Sequence, residues 1–372
     1  MPAESSIAHR AAQYPALDVV RGIAAMLVVV EHTRSMAWVS FSALPAAQHT
    51  TITKLIFLST RLGQEAVLAF FMLSGFLVGG QVIRQAREKR FDLHNYAIDR
   101  CCRILPPLLP AALFAAFVGC IGYGQEVDVW QVVCNMTGLN GVLATTLPFD
   151  APLWSLAYET WFYVLAGALA AIGIGRGNMG LMFALLAAML AFCRLDASLI
   201  LIWIAGACVS ALPRPRRTSL VSLAGACILI GGVYALQLAR PSQSFTTSGF
   251  PISLARGIFA AGFALLLPLL VSSPLNAALS RRAWVRRPFG FLAAMSYTLY
   301  LFHYPTLGLL ELRFSPSAVS GRSIGVFGSG VVAALLISAG MYFLVERNTP
   351  HFRRWLRRKT SRDARELAEM PT

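Results

Sequence analysis

Several polar and ionisable residues of this 372-residue chain stand inside long apolar runs, where such side chains are costly and mark functional positions. Asp18, Arg21, Glu31 and His32 share the first run. Arg21 and His32 are eleven residues apart. Eleven helical steps of 100° return to within about 20° of the start, so a helix sets both on one face, about 16 Å apart. An arginine at the inner end of such a helix can hold an anion, and a histidine deeper in, toward the outer half, can move a proton. A snorkelling Arg21 and a His32 hydrogen-bonded within a bundle are the plainer alternative.

Four further constellations follow along the chain. Phe70-Phe71-Met72-Leu73-Ser74-Gly75-Phe76-Leu77 contains a small pair, Ser74-Gly75, that permits close helix approach, and packing is its plainer role. Arg100 and Arg103 lie three residues apart just before Pro106. They make a fork suited to phosphates, although ordinary cytoplasmic loop charge also explains them. Ser155 and Glu159 are four apart in a Trp154-to-Tyr163 segment and share a face. A carboxylate there can orient a histidine or bind a sugar hydroxyl; a hydrogen-bonded cap for the entering loop is the other reading. Ser296, Tyr300 and His303 form one stripe that can meet the first helix, with His303 donating to a developing oxyanion or positioning a substrate. A packed, satisfied imidazole is the alternative.

The elements that must position these groups are membrane helices. Hydrophobic residues make up 56% of the chain and charged residues only 13%, against about 25% in ordinary soluble chains. That excludes a soluble enzyme, a disordered chain and a small disulfide scaffold. On the scale of about 20 residues per crossing, ten apolar runs stand out: 16–39, 62–83, 104–123, 152–173, 178–194, 197–212, 218–238, 253–272, 289–310 and 324–346. Pro106, Pro107 and Pro110 predict an irregular first turn for the third. The first run carries Arg21 and His32 and reads as a retained helix rather than a cleaved signal. The fold class expected is an all-α, polytopic membrane protein of about ten transmembrane helices.

The net charge of +15 finds its account in the positive-inside rule. With the N-terminus inside and sides alternating, 24 of the 32 Lys and Arg fall on cytoplasmic segments, so both termini are expected to be cytoplasmic. No nucleic acid is needed to explain the charge. The organisation expected is a cytoplasmic N-terminal segment 1–15, a transmembrane domain 16–346 and a basic cytoplasmic tail 347–372 lying on anionic lipid. The external loop 124–151, with Trp130 and Asp150, can form part of a lid. Seven cysteines, an odd number without a CxxC pair, predict buried thiols rather than disulfides or a metal site.

Taken in order, Leu17-Asp18 with Arg21-Gly22 and His32, the Ser74-Gly75 segment, Arg100/Arg103 with Pro106, Leu153-Trp154-Ser155-Leu156 with Glu159, and Ser296-Tyr297 with Tyr300 and His303 resemble the acyltransferase 3 family of integral-membrane acyltransferases. The resemblance spans residues 15–350. It implies a ten-helix fold in a bacterial inner membrane, acetyl-CoA or another acyl-CoA as co-substrate with no permanently bound cofactor, and O-acylation of an extracytoplasmic carbohydrate such as a surface polysaccharide. It assigns Arg21 and His32 to the family's essential Arg and His, Arg100 and Arg103 to the donor side, and Glu159 to its fourth motif. His32 is then the general base, oriented by Glu31 or Glu159, with Ser155, Ser296, Tyr300 and His303 positioning substrate. Two departures, Asn348-Thr349-Pro350 after Glu346-Arg347 and a second proline after Pro106, are taken as peripheral. About 25 residues follow the last helix, too few for the extra periplasmic domain some members carry. A proton-coupled transporter or flippase for a lipid-linked saccharide is the alternative. Against it stand the lack of an inverted repeat and the basic cytoplasmic mouth.

Overall fold

The computed structural model describes residues 14–213, 218–239 and 250–368, with side chains to 360. The expected N-terminal segment up to residue 13, the 214–217 loop and the last residues of the tail lie outside the described residues. Helices dominate, and among the described residues no strand forms. In chain order they are α1 (Pro15–Ala37), α2 (Thr51–Ser59), α3 (Gly63–Ser74, continued through the turn Gly75–Gly79 into Gly80–Arg87), α4 (Leu93–Phe117, extended by Val118–Gly122), α5 (Val129–Thr137), α6 (Trp154–Gly173), α7 (Met179–Arg194), α8 (Ser198–Ala211), α9 (Thr218–Ala239), α10 (Ile252–Leu270), α11 (Ser273–Arg281), α12 (Ala283–Ala294), α13 (Ser296–Glu311), α14 (Gly321–Leu344) and α15 (Thr349–Ala368). A 3-10 segment, Pro148–Leu153, leads into α6.

Among the described residues, six helical stretches are long and apolar enough to cross a membrane: Thr51–Arg87, Leu93–Gly122, Pro148–Gly173, Ser219–Ala239, Ile252–Leu270 and Gly321–Thr360. α7 and α8 are apolar but shorter, and α1 carries Asp18, Arg21, Glu31 and Arg34. The chain is a multi-pass membrane protein. Their loop is fastened at Asp196, whose backbone N–H donates to the Tyr158 hydroxyl at 2.9 Å and whose carboxylate pairs with Arg256. Burial pushes the Asp196 carboxyl up, but the bonds from Arg256 and Ser198 outweigh it and hold it below the ordinary carboxylate range.

Three expectations need correction. The single run 289–310 is two helices, α12 and α13, broken at Met295, so that Ser296 opens a new helix. α4 starts at Leu93 and runs unbroken through Pro106, Pro107 and Pro110. Asp92 caps it, and Tyr297 donates to the Ile104 carbonyl at 3.1 Å, next to the Cys102 and Arg103 carbonyls that Pro106 and Pro107 deprive of an amide partner. All seven cysteines are free, yet only Cys102 and Cys134 are buried; the other five lie on exposed helix faces.

α1 is the hub, packing on α3, α12, α13 and α14. Its sense relative to its neighbours follows from paired contacts. Arg21 meets Ser296 and His32 meets His303, so α1 and α13 run the same way. Ile104 meets Tyr297 and Val118 lies beside Gly308, so α4 runs with them. Glu31 meets Gly63, setting α3 opposite to α1.

The Ser74-Gly75 segment is a packing device. A Cβ on Gly75 would strike the Trp203 backbone carbonyl, and one on Gly206 would strike that of Met72. The two glycines therefore let α3 and α8 touch backbone to backbone. Gly75→Ala and Gly206→Ala should each destabilise the folded protein by about 1–3 kcal/mol through overpacking, outweighing the better helix propensity of alanine. Thermal unfolding in detergent, followed by size-exclusion chromatography, reads this as an earlier loss of the monodisperse peak. An unchanged midpoint would mean that the helices do not pack this closely.

Candidate active site

The His32 imidazole sits on the second turn from the end of α1, facing α13. Its Nδ1 lies 3.0 Å from the Val28 carbonyl and 3.1 Å from His303 Nε2. His303, fully buried, has its own Nδ1 3.0 Å from the Leu299 carbonyl. Each ring thus meets the carbonyl one helical turn back on its own helix. A carbonyl only accepts, so the proton of each neutral ring sits on Nδ1. His303 Nε2 is then a lone pair, and it accepts from His32 Nδ1–H. The consequence falls on the far nitrogen: His32 Nε2 carries a lone pair, and among the described residues it has no hydrogen-bond partner. Tyr304 stands edge-on to His32, with ring centroids 5.2 Å apart.

The arrangement has the logic of a nucleophile-activating dyad. When His32 Nε2 takes up a proton, its Nδ1–H becomes more acidic, and the acceptors already in place, Val28 O and His303 Nε2, stabilise the imidazolium. The two carboxylates expected to orient His32 have other bonds. Glu31 accepts the Gly63 backbone N–H at the first turn of α3, where a helix start favours negative charge. Glu159 accepts the Tyr163 hydroxyl.

Arg21, Arg100, Arg103, Glu159 and Ser296 belong to a second, charged cluster toward the N-terminal ends of α1, α4 and α13. Arg21 donates to the Ser296 hydroxyl at 3.2 Å and lies 3.9 Å from the Asp18 carboxylate. It is within electrostatic reach of Arg103, Glu346 and Glu159. Arg103 pairs with Glu346, and its guanidinium lies 5.0 Å from the Tyr297 ring centroid. Arg100 rests on the Tyr163 and Tyr96 rings at 5.2 and 5.8 Å. Its Nε is buried without a partner, and among the described residues its guanidinium makes no hydrogen bond. A groove beside Asp18 is lined by Arg286 and Phe289. Three arginines near one mouth, one of them lacking a carboxylate, suit a polyanion.

Ser155 and Tyr300 are brought together away from that cluster. Their hydroxyls are 2.7 Å apart, and Tyr300 donates to the Pro152 carbonyl at 2.6 Å. This ties the segment entering α6 to α13. Ser155 therefore stands with the external segment rather than beside Glu159's partner.

Glu346, which the sequence reading gives no role, belongs to this cluster. It is 5% exposed, receives the Thr298 backbone N–H at 3.1 Å and the Thr298 hydroxyl, and holds Arg103. The signal available was a carboxylate at the very end of an apolar run. Tyr304, beside His32, had no signal beyond its neighbour.

Replacing His303 tests the dyad. His303→Leu should lower turnover about 10²–10⁴-fold with little change in donor KM. His303→Gln, whose side-chain carbonyl can accept from His32 Nδ1–H, should recover part of the loss. Equal losses in the two variants would mean that His303 serves packing alone.

No curated protein and no solved structure matches the chain. The family model described as an acyltransferase domain matches residues 14–343, nearly the whole of the described bundle and every residue of the two clusters but Glu346. The chain is an acyltransferase of the acyltransferase 3 family.

Proposed function

We propose that the protein is a membrane-bound O-acyltransferase that moves an acyl group, acetyl by default, from cytoplasmic acyl-CoA to a hydroxyl of an extracytoplasmic carbohydrate. The observation that carries this reading is the unpartnered Nε2 of His32, set by His303, on the helix whose inner end bears Arg21. Ten crossings, both termini in the cytoplasm and a bacterial inner membrane complete the proposal. The basic-residue split and the alternating sense of α1 and α3 support them.

In this mechanism Arg100, Arg103 and Arg21 hold the phosphates of the donor, and Glu346 keeps the Arg103 fork in place. The pantetheine arm threads between α1, α4 and α13 and brings the thioester to His32. The acceptor hydroxyl arrives from the other end. His32 Nε2 removes its proton as the oxygen attacks the thioester carbonyl. The new C–O bond forms, the C–S bond breaks, and the proton on His32 passes to the departing thiolate, releasing CoA as the thiol. An imidazole suits both proton transfers because its ordinary pKa lies near working pH. Reaction inside the bundle keeps water from the thioester.

Purified protein supplied with labelled acetyl-CoA should bind the donor and transfer label to envelope saccharide. His32→Ala should lose about 10²–10⁴ in transfer rate and still bind donor. Arg100→Ala, Arg103→Ala and Glu346→Gln should raise the donor KM, and lysine at 103 should rescue only partly because the planar fork is lost. Unchanged transfer by a folded His32→Ala protein would overturn the mechanism. An unchanged donor KM in all three inner variants would move the donor site, most simply to Arg281–Arg287.

A further inference from the structure

One ionisable group in the bundle takes no part in the chemistry above. Asp150 lies in the segment Pro148–Leu153, where its φ of −147° and ψ of 57° interrupt the 3-10 turn. Its side chain is 0% exposed, and neither carboxylate oxygen has a hydrogen-bond partner. A buried carboxyl without partners is among the more expensive features a fold can carry. Such groups persist where a ligand supplies what the fold withholds.

Its place in the bundle indicates which ligand. Phe149 stacks on Tyr123 with centroids 4.5 Å apart and abuts Gly119, at the C-terminal end of α4. Arg103 stands near the other end of that helix, sixteen residues earlier, so about 24 Å separates the two along the axis. Asp150 therefore faces the mouth opposite the arginines. It lies within electrostatic reach of the Tyr300 and Tyr304 hydroxyls. Tyr304 is the ring against His32, and Tyr300 stands 5.9 Å from the His303 ring. Asp150 thus borders the histidine dyad from the outer side.

The chemistry of the free atoms narrows the class further. Asn140, in the same external segment, donates to the Leu153 carbonyl at 2.9 Å and leaves its own buried Oδ1 unpartnered. The open atoms are two carboxyl oxygens and an amide oxygen, so the ligand must carry groups that hydrogen-bond to oxygen. A divalent cation would require about six oxygen ligands, and among the described residues no cluster of three His, Cys, Asp or Glu exists. A molecule bearing several adjacent hydroxyls meets the requirement directly. The segment that leads to Asp150 is held by modest bonds: Gln131 to Thr145 and Thr146, Asn135 to Thr145, and Leu147 N–H to Asn135.

We propose that Asp150 is the acceptor-recognition residue: its two open oxygens receive neighbouring hydroxyls of a saccharide entering from the outer mouth, and so present a further hydroxyl to His32 Nε2. This rests on the acyl-transfer reading for the identity of the site. The saccharide displaces the 139–149 segment as it binds.

The test uses full-length protein in nanodiscs, wild type with Asp150→Asn and Asp150→Leu. Tritiated methyl β-glucoside, methyl β-galactoside and methyl β-N-acetylglucosaminide serve as probes, without donor. At least one should bind the wild type. Asp150→Leu should weaken that binding about 10–100-fold, the loss expected for hydrogen bonds to a charged group, and Asp150→Asn, which keeps one carbonyl acceptor, should fall between. Without saccharide, Asp150→Leu should melt higher than the wild type, since the unpartnered carboxyl is gone. Equal binding by wild type and Asp150→Leu, or no binding of any probe by the wild type, would overturn the proposal. So would lost binding together with a lower melting point, because the carboxyl would then serve the fold. Retention of labelled acetyl-CoA, measured in parallel on the wild type, judges the acyl-transfer reading separately.

Discussion

A neutral imidazole buried in a helical bundle has two nitrogens with opposite needs, and the contact between His32 and His303 settles them for both rings. Each Nδ1–H is committed to a carbonyl of its own helix, which locks ring orientation to helix orientation. The cross-helix bond then fixes how α1 and α13 face each other. Arg21 and Ser296 pin the same two helices lower down. Between the pins α1 advances eleven residues and α13 seven, a difference of about 6 Å along the axes that the long arginine side chain spans. The parallel pair sets the frame in which α4 delivers its arginines to one end and the Asp150 segment closes the other.

Charge is distributed in that frame by what each end must hold. At the N-terminal ends of α1, α4 and α13, Glu346, Asp18 and Glu159 accompany three arginines, so the cluster is balanced in the absence of an anionic ligand. Arg100, supported by tyrosine rings rather than a carboxylate, keeps uncommitted donors for that ligand. At the outer end the unmet groups are oxygens. The histidines in the middle have one open lone pair. In the mechanism we propose, an anion site, a base and a hydroxyl-binding site follow one another along the bundle, a path on which only the acyl group needs to cross. At the same end as Arg100 and Arg103, α15 is held to α4 through Arg353 and Arg357 on Asp99, while Phe352 and Trp355 remain exposed, suiting a helix that lies against lipid.

Much of this was legible in the sequence, because periodicity and apolar length are local properties. Arg21 and His32 on one face, the two short helices around Asp196, and the packing role of Gly75 all follow from nearby residues. What was not legible is partnership across the chain. His303 is 271 residues from His32, and a stripe on one helix does not say which nitrogen meets which. Glu31 lies next to His32 in sequence, but adjacent helical residues point about 100° apart, and its carboxylate caps α3 instead. Glu346 closes the last apolar run with no partner visible in the sequence; only the fold pairs it with Arg103. The break at Met295 carried no proline or glycine signal, and the prolines that did carry one leave α4 continuous. Asp150 was visible only as a loop acid, since burial without partners is a property of the fold.

The central claim is that one buried histidine serves a donor from one face and an acceptor from the other. Vesicles of uniform orientation, with labelled acyl-CoA supplied only at the face bearing Arg100 and Arg103 and saccharide acceptor confined to the opposite face, test it most directly. The account predicts label on the acceptor with CoA released on the donor side, and none with His32→Ala. Label appearing only when donor and acceptor share a face would contradict it.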